Sequence, residues 1–171
     1  MATPTVVFIG APASGKSKIA KRVSALLNVP RIDTDKVVVA QYAPIAEIFD
    51  THGEDTFRRY EREAVREALS TNAIVSLGGG AVLNTDTQNE LRTLPVVLLT
   101  VSEEAVASRI GDPKRPLLRD GITAWKALVE KRMPIYRELA GLTLDTSDGD
   151  LDQAARDVVT WINAGYPRKE A

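Results

Sequence analysis

Gly10-Ala11-Pro12-Ala13-Ser14-Gly15-Lys16-Ser17 has the spacing Gly-x4-Gly-Lys-Ser, that of a loop that wraps phosphate. The run before it, Thr5-Val6-Val7-Phe8-Ile9, is apolar and rich in β-branched residues and predicts a buried strand. After it, Ile19, Ala20, Val23, Leu26 and Leu27 recur at helical spacing, and the helix is expected to end near Asn28. Strand, glycine turn and helix are the context the motif needs. Gly10 and Gly15 carry no Cβ to obstruct inward-pointing N–H groups. The helix N-terminus behind the loop adds partial positive charge. Lys16 is placed to bridge the outer phosphates and Ser17 to ligate Mg²⁺.

Outward from this loop, strand and helix patterns alternate. Arg31-Ile32-Asp33, Ala73 to Leu77, Val96 to Val101 and Leu142 to Asp145 read as further strands. Helices are expected at Lys36 to Gln41, with Asp35 as a possible cap, and at Pro44 to Phe49, Glu54 to Leu69, Thr87 to Leu91, Ala105 to Ile110, Ala124 to Leu139 and Leu151 to Ala164. Pro134 should kink the seventh of these with the P-loop helix counted in. The order predicts an α/β fold with a parallel sheet, whose ligands bind at the carboxyl ends of the strands. The P-loop, Asp33-Thr34-Asp35 and Gly78-Gly79-Gly80 all fall at such ends.

The chain has 171 residues, expected to form one domain over 1–171. It has no cysteine, which excludes disulfide and thiolate chemistry. The formal charge is -1, so no general affinity for nucleic acid or membrane surface is expected. No apolar run approaches the ~20 residues of a membrane span, and because Met1-Ala2-Thr3-Pro4 leads straight into the first strand, no signal peptide is expected. The expected compartment is the cytoplasm and the expected state a monomer. The tail from Gly165 is expected to fray.

Phosphoryl transfer needs a metal, positive charge and an oriented nucleophile. Asp33 is a metal candidate, since it ends the strand expected to neighbour the P-loop strand. Asp35 can point at the phosphate acceptor and is the candidate base; His52, the single histidine, is read as lying in a loop. Arg58 and Glu61 share a helix face. Arg132 falls within the apolar stripe Trp125, Leu128, Val129, Tyr136 and Leu139, and an inward arginine needs an anion. The glycine triplet permits close approach of a ligand. Gly111 to Gly121 reads as a mobile basic loop, from which Arg115 could reach the transferred phosphoryl.

Six segments in this order — Gly10 to Ser17, Asp33-Thr34-Asp35, Phe57-Arg58-Arg59-Tyr60-Glu61, Gly78 to Val82, Arg115-Pro116-Leu117-Leu118 and Lys131-Arg132-x-Pro-x-Tyr136 — resemble shikimate kinases. The resemblance implies a P-loop three-layer αβα sandwich, strand order 2-3-1-4-5, with a mobile lid at about 111–123 and an acceptor-binding segment at about 34–61. It implies transfer of the ATP γ-phosphoryl to the 3-hydroxyl of shikimate. Asp35, Lys16 and Arg115 would be catalytic. Ala11, Pro12, Ala13, Ser14, Gly15, Lys16, Ser17, Lys18, Arg109 and Arg115 would bind ATP, with Arg109 on the adenine. Asp35, Arg58, Glu61, Gly78, Gly79, Gly80 and Arg132 would bind shikimate, and Ser17 and Asp33 would serve Mg²⁺.

The chain departs from the family pattern where glycine usually stands at Ala13 and threonine at Lys18. The Thr-Gly pair usual between Gln41 and Ile45 is missing, and no arginine follows Asp145-Thr146 near the adenine. A gluconate-type or nucleotide kinase is the alternative. A GTPase is excluded by the lack of an Asn-Lys-x-Asp segment.

Overall fold

A computed structural model describes residues 2–109 and 121–168. Five parallel strands form one sheet: β1 (Val6–Gly10), β2 (Arg31–Asp33), β3 (Ile74–Ser76), β4 (Val96–Thr100) and β5 (Leu142–Asp145). Their spatial order is β2-β3-β1-β4-β5, the order the resemblance implied. The register pairs Phe8 with Ser76 and with Val97, and Asp33 with Ser76. β3 therefore stands between β2 and the P-loop strand. The expectation that the Asp33 strand neighbours β1 is corrected here. Non-adjacent order is possible because helical crossovers, unlike hairpins, can skip a place in the sheet.

The helices are α1 (Lys16–Leu27), α2 (Thr34–Gln41), α3 (Ile45–His52), α4 (Glu54–Ala68), α5 (Thr85–Leu91), α6 (Glu103–Ala107), α7 (Ile122–Leu139) and α8 (Leu151–Asn163), with a 3₁₀ turn at Ala81–Leu83. β1 and β4 are apolar at successive positions because both faces of the sheet are covered. On one face Phe8, Ile19, Val23, Leu99, Val158 and Trp161 pack together. On the other, Val7, Ile9, Val65, Leu91, Leu98 and Tyr136 do so.

Local chemistry revises three expectations. Asp33, not Asp35, caps α2: it accepts from Lys36 N–H at 3.3 Å. The helix thus starts at Thr34 and carries Asp35 in its first turn. His52 is the last residue of α3, not a loop residue. The helix expected over Ala124 to Leu139 runs from Ile122 to Leu139 with Pro134 inside it. The tail is docked as far as Arg168: Tyr166 donates to Thr5 O (3.0 Å), Trp161 to Pro167 O (2.9 Å) and Arg168 to Arg92 O (3.2 Å). No helix of the described residues is long and apolar enough to cross a membrane.

Candidate active site

The site is built where β1, β3 and β2 end. The P-loop leaves β1 and turns into α1 at Gly15, which has φ 93°. Ala13 takes φ 69°, a left-handed value that an alanine adopts only when its surroundings enforce it. A loop whose N–H groups face inward turns its carbonyls outward, and these need donors. Lys16 Nζ donates to Gly10 O and Ala11 O, both at 2.8 Å. Trp125 Nε1 donates to Pro12 O at 2.9 Å. Arg109 donates to Ala13 O at 2.7 Å and Thr146 to Ser14 O at 2.7 Å. Five successive carbonyls are held by four side chains from four parts of the chain.

Ser17 Oγ donates to Asp33 Oδ2 at 2.6 Å. The hydroxyl at the start of α1 and the carboxylate at the end of β2 thus meet across the intervening strand. The pair fits Mg²⁺, which favours hard oxygen ligands, one or two from protein and the rest from water and phosphates. Among the described residues no cluster of three His, Cys, Asp or Glu suits a metal.

The glycine triplet is not a loose turn. None of its residues needs a left-handed backbone; each lacks a side chain because another group occupies that space. A Cβ on Gly78 would stand 2.5 Å from Asp35 Oδ1 and 3.0 Å from Glu61 Oε2. One on Gly79 would lie 3.2 Å from Pro12 Cδ and 3.3 Å from Arg132 Nη1, and one on Gly80 would collide with the Arg58 guanidinium. The triplet therefore brings Asp35, Glu61, Arg58 and Arg132 together beside the P-loop. Thr34, fully buried, ties β2 to this turn by accepting from Gly78 N–H at 3.3 Å, and Tyr136 Oη donates to Gly79 O at 2.5 Å.

Arg58 and Glu61 form the expected unit, an ion pair at 2.8 Å with Glu61 buried. Arg58 is held from the other side by Glu54 at 3.2 Å. Burial pushes the Glu61 carboxyl up, against the pull of Arg58. Arg132 is 5% exposed, and its Nη1 has no hydrogen-bond acceptor among the described residues. A buried guanidinium with an unused donor is a seat for an anion. Burial first, then the charges of Glu61 and Asp33, push Asp35 up to about 7, with Lys16 and Arg58 opposing. A carboxyl poised there can take a proton near neutral pH.

A cavity of about 290 Å³ opens on the outer side of the Arg58–Glu61 pair, with Glu54, Arg62, Gly80 and Thr87 in its wall. Arg115 and the basic loop, 111–120, lie outside the described residues. Lys18 is exposed, and Arg109 donates to the loop carbonyl of Ala13. Two contributors were not legible beforehand. Trp125 looked like an ordinary stripe residue and Thr146 carried no motif; only the partnership with a loop over a hundred residues away identifies them.

The family model described as Shikimate kinase matches residues 12–163. A shikimate kinase of Thermobifida fusca is 40% identical over 156 residues, covering 89% of this chain and 91% of that protein. The solved structure of shikimate kinase from Acinetobacter baumannii in complex with shikimate superposes with a TM-score of 0.89 at 27% identity, covering 96% of this chain and 95% of the other. A gluconokinase from Sinorhizobium meliloti aligns with a TM-score of 0.62 at 18% identity over 94% of this chain and 92% of its own, which is a likeness of fold alone. With its P-loop, its acidic strand end and its buried arginine in one place, the chain belongs to the shikimate kinase family, ATP-dependent phosphotransferases with an alcohol acceptor.

Proposed function

We propose that this chain transfers the γ-phosphoryl of ATP to the 3-hydroxyl of shikimate, giving shikimate 3-phosphate and ADP on the route to chorismate and the aromatic amino acids. The observation that carries this reading is the buried, unmatched Nη1 of Arg132 beside Gly79, next to the P-loop and close to Arg58 and Asp35. Two guanidinium groups for one carboxylate, with a carboxyl and glycine amides for hydroxyls, suit a small hydroxylated anion.

Arg58 and Arg132 hold the acceptor's carboxylate, and Glu61 keeps Arg58 in place. The Gly79 backbone meets a ring hydroxyl. Asp35 accepts the proton of the attacking hydroxyl. Lys16, the P-loop amides and the N-terminus of α1 neutralise the phosphates. Ser17 and Asp33 would hold Mg²⁺, which supplies charge neutralisation at the phosphates when bound. The roles of Arg115 over the phosphates and Arg109 at the adenine rest on the family motif. We read 1–171 as one kinase domain acting as a cytoplasmic monomer, with 34–61 as the acceptor segment and 111–123 as the lid.

The deciding experiment measures ADP formation with shikimate, gluconate and nucleoside monophosphates side by side, with and without Mg²⁺. Shikimate is expected to give the highest kcat/KM by orders of magnitude. A better rate with gluconate would transfer the assignment to the sugar-acid kinases that share this fold.

A further inference from the structure

The P-loop of this chain is held from outside by side chains that lie far from it in sequence. Ala13 sits at φ 69° with Ser14 N–H donating back to Ala11 O at 3.2 Å, a tight turn that glycine would adopt more readily. The methyls of Ala11 and Ala13 pack in a small cluster with Val106 and Trp125, all four buried. From the same ring, the indole N–H reaches Pro12 O at 2.9 Å. A peptide group is planar and trans, so its C=O and N–H point in opposite directions. Pulling Pro12 C=O outward therefore aims Ala13 N–H inward, toward the space the loop encloses.

We propose that Trp125 is a positioning residue for the nucleotide phosphates: its indole N–H fixes the Pro12–Ala13 peptide so that the Ala13 amide faces the cradle. Arg109 on Ala13 O and Thr146 on Ser14 O extend the same restraint to the next two peptides. Pro12 cannot donate an N–H of its own, so the amide of Ala13 matters more in this loop. The inference rests on reading Gly10 to Ser17 as an ATP cradle.

Trp125→Phe keeps the packed ring and deletes the donor. Titration of MgADP into this variant is expected to show a five- to tenfold weaker Kd, the value of about one hydrogen bond. The KM for ATP should rise alike, while kcat, the KM for shikimate and the affinity for adenosine stay within about twofold. An unchanged MgADP affinity with a lower Tm would mean that Trp125 only packs, and would overturn the proposal. Equal weakening of adenosine and MgADP would overturn it too, since the defect would not be at the phosphates. A second measurement uses the unaltered sequence with ¹⁵N-labelled indoles. MgADP should shift the Trp125 N–H resonance and leave that of Trp161, bonded to Pro167 O, in place; a still Trp125 resonance would refute the idea even if the variant fails to fold. Failure of the unaltered protein to bind MgADP would instead remove the cradle reading itself.

Discussion

The carboxyls of Asp35 and Glu61 converge on one missing side chain: a Cβ at Gly78 would lie 2.5 Å from an oxygen of the first and 3.0 Å from an oxygen of the second. Two acids set this close cannot both ionise freely, and the charge of Glu61 raises the proton affinity of Asp35. Glu61 is compensated by Arg58, which leaves Asp35 as the acid that gains a proton first.

Asp35, raised from the usual 3.8 to about 7, should impose an acid limb on catalysis. Only the carboxylate can accept a proton, so kcat/KM for shikimate is expected to fall below a pH of about 7, by tenfold per unit. Glu61→Gln removes the nearest negative charge, favours the Asp35 carboxylate and should move that limb to lower pH. Asp35→Asn should abolish most turnover with ATP affinity retained. For stability the sign is opposite. The fold favours the protonated acid, so this contribution is full below pH ~4 and is lost as the pH rises through about 7. pH–rate profiles and melting curves across pH 4–9 check both, on the scale set by these values.

Arg132→Ala should raise the shikimate KM thirtyfold or more, since truncating one partner of a buried charge pair typically costs ~2–5 kcal/mol. The ATP KM should change little. Arg132→Lys should not restore affinity, because a point charge cannot replace a planar fork. Steady-state kinetics with each substrate varied in turn separates the two effects; an ATP-only defect would contradict the role assigned to Arg132.

The glycines should fail in different ways. Gly80→Ala drives a methyl into the Arg58 guanidinium and should raise the shikimate KM. Gly78→Ala presses on Asp35 and should lower kcat more than it raises KM. Identical defects in the two variants would mean that the triplet acts only as a hinge.

Ser17→Ala removes the hydroxyl that meets Asp33 at 2.6 Å. The Mg²⁺ concentration for half-maximal rate is expected to rise on the order of tenfold, about what one ligand bond contributes. Asp33→Asn should do the same and keep α2 capped, since asparagine caps as well as aspartate. Metal titrations of activity and circular dichroism together test this.

Ala13→Gly should stabilise the fold. Left-handed alanine costs roughly 1–2 kcal/mol, and the extra freedom of glycine in the unfolded chain takes back roughly 0.4–1 kcal/mol. The net of about 0–1.6 kcal/mol corresponds to a rise in Tm of up to about 6 °C for a chain of this size. A fall in Tm would show that the side-chain restraints on this turn already remove the strain.

Much of the architecture was written in local pattern. The P-loop spacing, the unbroken apolar runs of β1 and β4 and the three-residue step from Arg58 to Glu61 are short-range features, and short-range features are what a linear sequence displays. The convergence of three strand ends on one rim followed from the parallel sheet, in which every strand ends at the same edge. The inward placement of Arg132 was equally legible, because it falls within an apolar stripe of its helix.

What only the tertiary structure decided is who holds what across long stretches of chain. β3 standing between β2 and β1, Asp33 rather than Asp35 at the helix cap, the Trp125 and Thr146 bonds to P-loop carbonyls and the docked tail leave no periodicity to read. The reason is physical. An outward carbonyl accepts from any donor of suitable reach, so the identity of that donor is set by how helices settle on the sheet and not by its neighbours in the chain. The triplet Gly78-Gly79-Gly80 shows the same division: its position announced a close approach, and the fold alone revealed that Asp35, Arg132 and Arg58 are the groups that come close.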